Sequence, residues 1–197
     1  MKRALLAWLV CLFACERPVV KEGALFEGAR LAQPRGYLLS PRAPGDYELV
    51  SESKGENIEK VSYAAFDARE LSLPLDSLAT VAFGDSLLKT YGRALKRKMG
   101  VFGGLMKSYF EYFDKFQTLS LSSLERNGAR WFSLLKKHVD EPHYWQSFYA
   151  ARDGRLVFIT LFYAQGDGEP PIPTSDLAKF IDVVRFDSND SLSFRKP

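Results

Sequence analysis

Apolar and polar positions fall into a regular pattern in the C-terminal half of the chain. The stretch FQTLSLSSLERNGARWFSLLKKHV holds two β-rich runs joined at Asn127-Gly128. The stretch YWQSFYAARDGRLVFITLFYA repeats that design at Asp153-Gly154. Asn-Gly and Asp-Gly between such runs predict two-residue hairpin turns, because both central residues need positive φ. The last run, residues 156–164, is almost wholly apolar, which predicts a central strand covered on both faces. Upstream, YLLSPRAPGDYELVSES and EKVSYAAFDA read as further short strands around Pro/Gly turns.

Between these strand regions the period changes. Leu88, Tyr91, Leu95 and Met99 recur at three- and four-residue spacing, which predicts an amphipathic helix ending at Gly100, with Asp85 as N-cap or with a start as early as Asp76. The following GVFGGLMKSYFEYF reads as a Gly-rich loop running into a short helix, and its aromatic density also suits a strand. A Pro/Gly-rich loop, QGDGEPPIPTS, precedes a final helix carrying Leu177, Phe180, Ile181 and Val184. The tail after it, RFDSNDSLSFRKP, ends the pattern as an edge strand or a frayed end.

Strands, helix, two hairpins and helix predict an α+β domain: an antiparallel sheet built from hairpins, with two or three helices packed on it. This order, together with NGARWF, YAARDGRLVFITL and LAKFIDVVRF, resembles the PsbP-like fold over residues 37–188. That fold is shared by a photosystem II extrinsic subunit, a nuclear-transport Ran-binding protein and many bacterial lipoproteins. The resemblance implies a PsbP-like sandwich that binds partners and has no shared catalytic residues, so it assigns no site.

The N-terminus sets the expected location. Lys2 and Arg3 precede an uninterrupted apolar run from Ala4 to Ala14. That run is well short of the roughly 20 residues of a membrane-spanning helix and has the form of a secretory signal. Leu12-Phe13-Ala14-Cys15 resembles a bacterial lipobox, which implies cleavage after Ala14 and lipidation of Cys15. Residues 1–14 are thus expected to be a signal peptide, 15–36 the lipidated cysteine and a tether, 37–188 one domain and 189–197 a tail. The expected location is the bacterial cell envelope, membrane-anchored and facing the periplasm or the cell surface. Glu16 is not the Asp that retains some lipoproteins at the inner membrane, which favours the outer one.

Composition agrees with export and adds few functional signals. Cys11 and Cys15 are the two cysteines, so the mature chain could form no internal disulfide. Lys plus Arg number 27 against 24 acids, and loss of Lys2 and Arg3 leaves 25 against 24. A formal charge of +1 lacks the dense basic footprint of a nucleic-acid binder.

Candidate chemistry is sparse. His138, Asp140, Glu141 and His143 offer metal-ligand types within six residues, but their spacing matches no zinc signature, and Pro142 prevents a helix from aligning the histidines. No Ser stands in a Gly-x-Ser-x-Gly turn, and GVFGG lacks the Lys-Ser/Thr of a phosphate loop. The sequence therefore predicts neither an enzyme nor a cofactor. Lys96, Arg97 and Lys98 run directly into Phe102, Leu105, Met106, Tyr109 and Phe110. Cations beside exposed aromatics suit a membrane surface or a lipid tail; the plainer reading packs the apolar face on the sheet and leaves Lys96, Arg97 and Lys98 as a solvated helix end. The expected role is an envelope-anchored, non-catalytic module that holds a protein partner, with lipid or membrane contact through residues 101–110 as the alternative. An enzyme or a metal-binding protein comes third.

Overall fold

A computed structural model describes residues 19–53, 58, 60–70, 74–99, 114–166 and 168–187, with side chains for all of these except 70 and 93–99. Seven strands form one antiparallel sheet. They are β3 (Tyr37–Ala43), β4 (Asp46–Ser51), β5 (Lys60–Asp67), β6 (Phe116–Arg126), β7 (Ala129–His138), β8 (His143–Arg152) and β9 (Arg155–Ala164). Their order is β3-β4-β5-β9-β8-β7-β6. The apolar run at 156–164 is β9, placed between β5 and β8 and buried along most of its length. Both hairpin turns have the required backbone: Asn127 and Asp153 at φ 51°, Gly128 at 70° and Gly154 at 72°.

Residues 22–32, expected to lie in the tether, are folded. They form β1 (Glu22–Phe26) and β2 (Ala29–Ala32), and β2 also pairs with β10 (Val184–Phe186) near the other end of the chain. Gly23 and Leu25 of β1, and Ala29 and Leu31 of β2, are buried at every second position of each strand, as a half-buried strand requires. The expected final helix is instead two short turns, α2 (Thr174–Leu177) and α3 (Lys179–Asp182), and Val184 belongs to β10 rather than to a helix. Helical spacing and strand alternation coincide over so few residues, and pairing with β2 decides between them.

The helix expected from Asp76 or Asp85 starts between the two, as α1 (Val81–Met99). Thr80 Oγ1 accepts the Phe83 N–H at 3.2 Å and so serves as the cap, while Asp85 turns to Lys136 Nζ at 2.6 Å. Gly84 inside the helix permits a close approach to the sheet. A Cβ there would lie 2.7 Å from Leu134 Cδ2.

The two sheet faces carry separate cores. Phe83, Leu87, Leu88 and Tyr91 of α1 cover Phe66, Phe132, Leu134, Tyr149 and Phe158 on one face. On the other face, the small β1-β2-β10 sheet and the C-terminal turns cover Leu39, Tyr63, Trp131, Phe148 and Ile159. Polar ties lock this second layer in place. Tyr63 Oη donates to the Phe180 carbonyl at 2.9 Å, and Asn127 Nδ2 donates to the Ile181 and Val184 carbonyls at 3.0 and 2.7 Å.

Candidate functional site

Several residues singled out by the sequence lie outside the described residues: Cys15, Phe102, Leu105, Met106, Tyr109 and Phe110. Lys96, Arg97 and Lys98 belong to α1, but their side chains are also outside the described set. The polar segment between β7 and β8 is described, and it disperses its four ligand-type side chains. His138 is buried edge-on against Phe116, and its Nδ1 accepts the Asp140 N–H at 3.2 Å. Asp140 pairs with Lys115 at 3.1 Å, whereas His143 Nδ1 lies 2.7 Å from Glu141 Oε2. Among the described residues, no three His, Cys, Asp or Glu side chains are grouped as a metal site requires. Most aromatics of RWF and HYWQSFY are core: Trp131, Phe132, Tyr144, Phe148 and Tyr149 are all buried.

A partly buried ionic cluster sits under α1 near the start of the sheet. Arg42 pairs with Glu48, which is almost fully buried, and Asp46 and Tyr91 lie close enough to act on the same charges. Burial works to lower the Arg42 pKa, but its hydrogen bond to Glu48 and the surrounding negative charge outweigh that and raise it. Burial raises the Tyr91 phenol, and a hydrogen bond with Ser62 opposes the rise. Arg42 and Glu48 neutralise each other, and the pair reads as structural. A shallow groove of about 850 Å³ lies where β1 meets the β3–β4 turn. It mixes Arg30 and Arg155 with Glu22, Glu27 and Asp187, which favours no ligand charge.

The two edges of the large sheet differ sharply. A free strand edge is a row of unpaired N–H and C=O groups, which folded proteins usually block. The β3 edge is blocked in three ways. Pro41 removes a donor, a bulge interrupts the strand between Pro41 and Ala43, and the Val20 N–H donates to the Leu39 carbonyl at 2.9 Å.

The β6 edge is less guarded. One bulge interrupts it between Thr118 and Ser120 and leaves Leu119 52% exposed. Beyond it, residues 120–126 pair with β7 without interruption, and among the described residues no strand lies on their outer side. There is no proline in the strand and no charge from Phe116 through Leu124. Ser120, Ser122 and Ser123 are exposed, while Leu121 and Leu124 are half-buried against the two cores. This edge could accept an extended segment, since about half of its residues turn both backbone groups outward. Strand order is a tertiary property, so the sequence could not identify β6 as an edge. The available signal is its Ser/Thr-rich composition, without charge from Phe116 through Leu124.

Among the described residues, no helix is long and apolar enough to cross a membrane. No protein-family model and no curated protein sequence matches the chain. Among solved structures it is similar to cyanobacterial PsbP (CyanoP) from Synechocystis sp. PCC 6803. Identity is 10% and the TM-score 0.37, over 88% of this chain and 95% of that one. A likeness at that score carries no argument about partner, ligand or activity, and the architecture rests on the sheets themselves.

Proposed function

We propose that this chain is a lipid-anchored, non-catalytic binding module of the bacterial cell envelope. Acylated Cys15 holds it on the membrane, facing the periplasm or the cell surface, and its partner is an envelope protein. The partner contributes an extended segment that adds to the outer edge of β6. Among the described residues no strand lies outside residues 120–126, and that is the observation that carries the reading, in contrast with the triple block on β3.

Strand addition draws affinity from backbone hydrogen bonds, each worth about 0.5–1.5 kcal/mol net. Specificity comes from alternate side chains, and here Leu119, Leu121 and the serines offer an uncharged surface. A photo-crosslinking side chain placed at Ser123 in the native envelope tests the reading. The expected result is one discrete protein adduct, which Ser120→Lys with Ser122→Lys abolishes while the fold is kept, because both positions are exposed. No adduct at Ser123, or one indifferent to the two lysines, rejects the edge as the site.

A further inference from the structure

The folded state of residues 20–32 shortens the link between Cys15 and the domain. Lys21 O accepts the Gln33 N–H at 2.9 Å, and the Val20 N–H is bound to Leu39 on the outer edge of β3. Only five residue steps separate Cys15 from Val20, a span of at most about 18 Å. A tether reaching to Tyr37 would instead have allowed about 75 Å of travel. The difference decides how the domain meets the bilayer.

The geometry points to a fixed orientation: the β3 edge is seated against the bilayer that carries the Cys15 lipid, and the β6 edge faces away from it. This inference rests on the lipidation of Cys15 proposed above. The leash joins the domain at one edge of the sheet, and β6 is the opposite edge in the strand order. Six inter-strand steps of about 4.8 Å place β6 about 29 Å farther from the surface when the sheet stands on its β3 edge. The occupant of the β3 side is the lipid surface itself, and the length of chain ahead of Val20 is what selects it. Strand addition at that side is already blocked by Pro41, the adjoining bulge and Val20. Val19, 52% exposed, lies at the same place and can rest at the interface without leaving the domain. The partner edge is thereby presented outward, where a soluble or opposing protein can reach it.

Single-site energy transfer tests the orientation in the full lipidated chain. No cysteine other than Cys15 remains after cleavage, so Arg35→Cys and Ser123→Cys each accept one fluorophore. Arg35 is exposed near the start of β3, and Ser123 is exposed on β6. The protein is incorporated into phosphatidylethanolamine/phosphatidylglycerol vesicles carrying a headgroup acceptor dye, and vesicle flotation is scored in the same samples. The expected result is flotation with transfer at position 35 at least about twice that at position 123, given the roughly 29 Å between the edges. Twelve Gly/Ser residues inserted after Glu16 should remove most of that difference. Flotation with equal or reversed transfer overturns the orientation while leaving the lipid anchor in place. Failure to float, with Cys15 unmodified, overturns the anchor and the orientation together.

Discussion

Asn127 provides the sharpest test of how the two layers are held together. Its backbone lies at φ 51°, and its Nδ2 donates to the carbonyls of Ile181 and Val184 at 3.0 and 2.7 Å. Asn127→Ala removes two hydrogen bonds, about 1 kcal/mol each, and places Ala in a left-handed conformation at a further cost of about 1 kcal/mol. The total is about 3 kcal/mol. Asp153 separates the two contributions, because it occupies the matching turn position at the same φ of 51° and, among the described residues, ties down no second layer. Its ion pair with Arg152 is long, at 3.8 Å, and its side chain is exposed, so little is lost with it. Asp153→Ala should therefore cost only the backbone part, about 1 kcal/mol. Urea unfolding at unchanged m checks this. With m near 2 kcal/mol/M, the two variants should differ in midpoint by about 1 M. Equal losses at the two turns would refute the reasoning, since they would show that the Asn127 side chain does not hold the C-terminal turns.

Other perturbations follow from single observations. Gly45 has φ 71°, and a Cβ there would stand 2.7 Å from the Leu25 carbonyl. Gly45→Ala should cost about 2–4 kcal/mol, and Gly154→Ala, at φ 72° with open space around it, about 1 kcal/mol in the same urea titration. Among the described residues, Ser147 Oγ is buried without a hydrogen-bond partner, so Ser147→Ala should leave stability unchanged or raise it by about 1 kcal/mol in thermal unfolding. Burial pushes the Tyr149 phenol up to about 12, so the folded protein holds that proton more tightly than the unfolded chain does. The stabilisation is complete below about pH 10 and is lost as pH rises through about 12. Tyr149→Phe should flatten the fall in stability over that range, and an unchanged slope would contradict the assignment.

Much of the fold was legible because local chemistry and tertiary placement agreed. The turns at Asn127-Gly128 and Asp153-Gly154 need positive φ, and the apolar run at 156–164 needs cover on both faces; both requirements are met. α1 starts between the two positions the sequence offers, Asp76 and Asp85, and Asp85, a good cap in isolation, is held by Lys136 of β7. Residues 22–32 resembled a tether because β1 and β2 are short, and their third strand comes from residues 184–186, far away in sequence. The candidate site was less legible. Sequence periodicity identifies strands but not which of them ends a sheet, so β6 gave only the lack of charge from Phe116 through Leu124 as a sign. The patch at 101–110 and Cys15 lie outside the described residues, so the structure adds nothing to those two readings.

The most direct test of the central claim, that this module works from a membrane, is the intact mass of the protein purified from its native envelope beside a Cys15→Ala form. The account predicts loss of the first 14 residues and a gain of acyl mass on Cys15, both abolished by the substitution. An intact N-terminus, or a cleaved chain with unmodified Cys15, would contradict it.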